Sequence, residues 1–227
     1  MSKETKSHDE LDSVNEALTR SEQFIEQNQK TIITVVVAII LVVSAILSIR
    51  YFYILPKQER AQSEMFKGVF YFEKDSFQLA LNGNGIDYAG FEAIADEYSS
   101  TPAGNLAQAY AGISHMRLGN YEQAIKYLEE FDADDDMVAP TLIGAIGDCY
   151  VNMDKVKEGI SYFEKAAKKA DNELISPIYL KKAGIAYESL KEFDKAVNAY
   201  KTIKDKYASS MEASDIEKYI ERASIQK

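Results

Sequence analysis

Two histidines, one cysteine, a run of carboxylates and a doubled Asn-Gly are the residues of this 227-residue chain whose types could do chemistry. A metal site or a catalytic triad needs two or three such groups converging on one point. His8 lies in the N-terminal tail, however, and His115 stands at a helix-patterned core position. Cys149, between Asp148 and Tyr150, has no base in its pattern and reads as a buried structural thiol rather than a nucleophile. Glu129, Glu130, Asp132, Asp134, Asp135 and Asp136 offer the hard oxygens that calcium takes. Their segment lacks the central Gly and terminal Glu of an EF-hand loop, so it reads as a solvated acidic turn. Asn82-Gly83-Asn84-Gly85 is too short to cradle a phosphate. The sequence therefore predicts no enzyme, no metal and no cofactor.

Composition narrows the partners. The length suits one medium domain with a short appendage. A net charge of −10 argues against nucleic acid or an anionic lipid face, which both demand clustered Lys and Arg. Cys149 alone cannot close an internal disulfide and leaves the redox compartment open.

The apolar residues concentrate early. Thr31 to Ile49 (TIITVVVAIILVVSAILSI) carries no charge and no proline, and is bracketed by Lys30 and Arg50. At a rise of about 1.5 Å per residue, a helix of this length reaches roughly across a hydrocarbon core of about 30 Å. Arg50-Tyr51-Phe52-Tyr53 suits the headgroup boundary, where aromatic rings settle and Arg snorkels to water. The preceding 30 residues are long and acidic, unlike the short basic start of a cleaved signal peptide, and no Cys follows for a lipid anchor. The expected division is a tail over 1–30, a transmembrane helix over 31–53 and a helical domain over 54–227. Within the tail, Leu11, Val14, Leu18 and Ile25 fall near helical spacing, which reads either as a short amphipathic helix for a protein partner or as a partly ordered polar tail. Arg20 and Lys30 precede the span, against Arg50, Lys57, Arg60 and Lys67 after it. Counted literally, the positive-inside rule places the C-terminal domain in the cytoplasm.

The remaining chain repeats itself. Gly112, Gly147 and Gly184 lie 35 and 37 positions apart, each followed three positions on by His115, Tyr150 or Tyr187. Each pair then leads to a second small residue at Ala124, Gly159 or Ala196. Small residues let two helices approach, and the aromatic fills the groove between them. The period is near the roughly 34 residues of a tetratricopeptide repeat. This predicts an all-α fold in which one transmembrane helix is followed by a solenoid of helical hairpins. The repeats are expected at about 105–136, 140–172 and 177–208, preceded by a degenerate hairpin at 57–99 and closed by a capping helix at 209–224. In that degenerate hairpin, one helix is expected to run through Phe66, Val69, Phe70 and Phe77.

Solenoids bind along the concave surface lined by first helices. The repeat register assigns to it Leu106, Ala109, Ile113, Met116 and Arg117, then Thr141, Asp148, Val151 and Asn152, then Ile178, Lys181, Ile185 and Glu188. Repeats that clamp a C-terminal carboxylate use Lys and Asn on this face, where Ala109, Ile113 and Ala145 stand instead. An apolar, Met-containing face fits loosely specified polypeptide segments.

The tail ending Ser21-Glu22-Gln23-Phe24-Ile25-Glu26-Gln27-Asn28-Gln29-Lys30, the uncleaved span and the degenerate hairpins together resemble the YfgM-like family. The resemblance covers nearly the whole chain and rests on layout and the tail motif. It implies a bacterial inner-membrane protein with a cytoplasmic tail and a periplasmic repeat domain, opposite to the charge count. As partners it implies Sec translocon subunits, chaperones or unfolded clients. The rival expectation is a scaffold holding one defined partner in a stable envelope or division complex.

Overall fold

The computed structural model describes the backbone of residues 4–226 and the side chains of residues 27–226. His8, Leu11, Val14, Leu18 and Ile25 thus lie outside the described side chains. Among the described residues there are helices and no strands, so the fold is all-α as predicted.

Two units divide at Pro56. The first holds α1 (Glu4–Ile49) and a π-helical turn (Arg50–Ile54). From Thr31 to Ile49 the residues are Val, Ile, Leu, Ala, Ser and Thr, and all but Ile32 are exposed. A stretch with no buried face does not form a soluble core. One helix among the described residues is long and apolar enough to cross a membrane, and it contains this stretch. Tyr51, Phe52 and Tyr53 follow as an exposed aromatic collar.

The second unit is a succession of hairpins. After α2 (Leu55–Glu73), α3 (Phe77–Asn82) and α4 (Phe91–Glu97) come three helix pairs. These are α5 (Pro102–Arg117) with α6 (Tyr121–Glu130), α7 (Val138–Asn152) with α8 (Val156–Ala170), and α9 (Ser176–Ser189) with α10 (Phe193–Lys206). A 3₁₀ turn (Glu212–Asp215) then leads into α11 (Ile216–Ile225). Starts are marked by side-chain caps: the Thr101 hydroxyl accepts from Gly104 N–H at 3.0 Å with Pro102 beside it, and the Asp135 carboxylate accepts from the amides of Met137, Val138 and Ala139.

One turn geometry joins every pair. The amides of Asn120, Lys155 and Glu192 each donate to the carbonyl of His115, Tyr150 or Tyr187 at 2.9 Å. One residue in each turn, Gly119, Asp154 or Lys191, sits at positive φ. Packing explains the small residues upstream. A Cβ added at Gly184 would meet the Tyr200 ring at 2.2 Å, so only glycine lets α9 and α10 close on that ring. Tyr200 is fully buried with Val197 and Ile203, and α11 covers them with Ile216 and Ala223.

The first hairpin departs from the single helix expected through Phe77. The Ser76 amide donates to the Tyr71 carbonyl at 2.9 Å and Asp75 takes φ 53°, which is the hairpin turn of the later repeats. Gly68, Tyr71 and Ala80 therefore occupy the places of Gly112, His115 and Ala124. The second helix breaks after Asn82, where Asn84 Oδ1 gathers the amides of Ile86, Asp87 and Tyr88, and α4 resumes cover over α5. Tyr88 and Phe91 fill the space beside Gly68.

Candidate protein-binding surface

The first helices α5, α7 and α9 carry the positions assigned to the concave face, and the structure sorts them into three groups. Leu106, Ile178 and Ile185 present apolar surface to solvent, with 43%, 36% and 46% exposure. Arg117 and Asn152 are exposed polar neighbours; Asn152 Nδ2 donates to the Asp148 carbonyl at 2.8 Å, and Arg117 lies over the Phe77 ring. Val151 is half-buried against the core of Phe163 and Ala167.

Three assigned positions turn toward the next hairpin, and of these Ala109 is corrected to a buried position. Ala109 is buried at 4% exposure, and Ile113 and Met116 pack with it against Leu142, Ala145 and Ile146. They form the joint between the α5–α6 hairpin and the α7–α8 hairpin. A first helix must bury one stripe on its own partner and another on the next hairpin, which leaves a narrower open stripe than the register alone suggests.

The charged positions are occupied within the array. Asp148 accepts from Lys182 Nζ at 2.7 and 2.8 Å, Lys181 Nζ donates to Asp215 at 2.7 Å, and Glu188 takes two N–H bonds from Arg222 at 2.8 and 2.9 Å and the Tyr200 hydroxyl at 2.6 Å. Burial works to raise the Glu188 carboxyl, and the bonds from Arg222 and Tyr200 more than offset it, holding it below its usual range. Lys181 is likewise opposed by burial and ends above its usual range through Asp215. These charges are thus largely satisfied before any ligand arrives.

Between α9 and the turn into α11 lies a groove of about 370 Å³. Ile178, Ile185 and Met211 make its apolar part, and Lys181, Lys182, Glu212, Ser214 and Asp215 its rim. Met211, Lys182 and Asp215 were not singled out in the sequence, because their membership depends on the 3₁₀ turn folding back over α9. Among the described residues no group of His, Cys, Asp and Glu could hold a metal ion.

Residues 107–134 and 180–210 match a family model described as tetratricopeptide repeat, and residues 141–168 match a second model of the same description. These three hairpins are tetratricopeptide repeats. The solved structures that resemble the repeat array include a crystal structure of MamA protein, 18% identical, covering 74% of this chain and 92% of that one with a TM-score of 0.50. A second crystal structure of MamA is 21% identical over 60% of this chain and 88% of that one, with a TM-score of 0.41. The first likeness is one of fold. Comparison with curated protein sequences gives no match. Tetratricopeptide repeats are protein-interaction modules, typically non-catalytic scaffolds, and this array has a protein-binding role.

Proposed function

We propose that this chain is a membrane-anchored, protein-binding subunit, ancillary to the Sec translocon and chaperone-like toward emerging or translocated polypeptides. In this reading residues 1–30 form a cytoplasmic tail, 31–53 span the bacterial inner membrane once, and 54–227 form a periplasmic binding domain. The observation that carries the client class is the open groove of Ile178, Ile185 and Met211, whose flanking Lys181 and Lys182 are already spent on Asp215 and Asp148. A groove with apolar walls whose two lysines are neutralised selects for apolar segments with little demand on sequence, and Met adapts to varied shapes. Anchoring raises the local concentration of such a weak binder where clients appear. The resemblance to the YfgM-like family supports the translocon and the periplasmic side; the basic residues flanking the span favour the opposite side.

A scaffold for one defined partner is the second reading, favoured by the ion pairs that fix one hairpin against the next. Site-specific crosslinking from Leu106, Ile178, Ile185 and Met211 in intact membranes separates the two. Many polypeptides captured with translocon subunits, and an array shielded from external protease, support the proposal. A single stoichiometric partner and a cytoplasmic array reject it.

A further inference from the structure

We infer that the edge of the array formed by the turns into α7, α9 and the closing helix α11 is a docking surface for a cationic, amphipathic polypeptide segment. Met137, Leu174 and Met211 lie at equal intervals of 37 positions in these turns and are 42%, 65% and 85% exposed. Single exposed apolar side chains are ordinary, but three at one repeat position make a row. The turns are neighbours in space: Asn172 Nδ2 donates to the Asp136 carbonyl at 2.9 Å and lies 4.0 Å from Met137 Sδ. The row therefore advances by one hairpin at a time along this edge.

Charge sets the partner's chemistry. Each apolar residue adjoins a carboxylate in sequence, namely Asp136, Glu173 or Glu212. The lysines that reach these turns are used elsewhere, Lys169 on Asp134 and Lys206 on Asp171. Asp136, Glu173 and Glu212 have no basic partner among the described residues. An apolar side chain beside an unpaired carboxylate, once per repeat, complements a segment bearing Lys or Arg beside apolar residues. The net charge of −10 steers such a segment inward. The same carboxylates repel anionic lipid and a second copy of this edge. None of these six residues belongs to the positions assigned to the concave face, although Met211 and Glu212 border the groove.

The test uses the full chain in discs of neutral lipid and the fluorescence anisotropy of an amphipathic Leu/Lys peptide, beside its Leu/Glu and Ser/Lys counterparts. The Leu/Lys peptide is expected to bind about ten-fold tighter than either counterpart and to weaken with salt. The M137S/L174S/M211S variant and the D136N/E173Q/E212Q variant should each lose about ten-fold. Five of the six side chains are exposed and Glu212 is half-buried, so the thermal transition of both variants stays in place. Equal binding of the Leu/Glu peptide overturns the inference on the unmodified chain alone. So does loss confined to I185E, which would assign the peptide to the concave groove. A dimer that the M137S/L174S/M211S change dissociates, or a preference for anionic vesicles over the peptide, also overturns it.

Discussion

Asp148 on α7 and Lys182 on α9 close an ion pair of 2.7 Å between residues 34 positions apart. The same separation recurs in Lys181 with Asp215 and in Glu188 with Arg222, and nearly so in Tyr162 with Glu129 and Lys169 with Asp134. Each is a bond from one hairpin to its neighbour or to the closing segment. Exposed pairs of this kind contribute only about 0–1 kcal/mol apiece. Their main effect is to fix the register of the stack and to remove charge from the groove.

Glu188 is the exception in this set, because its side chain is only 13% exposed and the buried Tyr200 hydroxyl donates to it. Glu188→Ala leaves that hydroxyl and Arg222 without their acceptor and is expected to cost about 2–3 kcal/mol by urea denaturation. A carboxyl held below its usual range contributes stability that is present above that range and is lost as pH falls through the depressed value. The wild type should therefore lose part of its margin over the variant below about pH 4. An unchanged difference between the two proteins across that window would remove Glu188 from the closing contact.

Gly184→Ala tests the small-residue rule. The added Cβ would meet the Tyr200 ring at 2.2 Å, with Tyr200 held by Val197, Ile203 and α11. Overpacking of this kind costs about 1–3 kcal/mol, which lowers the melting temperature of a domain this size by several degrees. A variant as stable as wild type would show that α9 and α10 can separate freely.

Ile113 and Ile185 look alike in the repeat pattern and differ in place. Ile113 packs at the joint with Leu142 and Ala145, whereas Ile185 faces the groove. Ile113→Glu puts a charge without a partner into this half-buried joint and should cost about 2 kcal/mol. Ile185→Glu should stay within about 0.5 kcal/mol of wild type while weakening capture of apolar clients. Comparable destabilisation in both would place Ile185 in the core.

The contrast marks what was legible in the sequence. The Gly112–His115–Ala124 spacing and its two copies were enough for the hairpins, because close helix approach leaves a small residue at a fixed offset from an aromatic. The same triplet stands at Gly68, Tyr71 and Ala80, but the loop at Asn82 to Gly85 interrupts the helix that should follow, and Phe77 continued the apolar pattern across the turn at Asp75. The concave register slipped at Ala109 because a small apolar residue fits an open stripe and a helix joint equally well. The ion pairs were hidden for another reason: Lys182 and Asp215 meet their partners only once the hairpins stack.

Cys149 reports on the opening of that stack. Its thiol is fully buried between the α5–α6 and α7–α8 hairpins, and burial, with the nearby Asp148 charge, pushes it up to about 11. At pH 8 only about one thiol in a thousand is then ionised, and reagent has no path to it. Alkylation of the folded chain should be slow, and its rate should rise with denaturant in step with global unfolding. Labelling that is fast in native buffer, or that rises well before the unfolding transition, would mean that α7 detaches while the rest of the array stays folded.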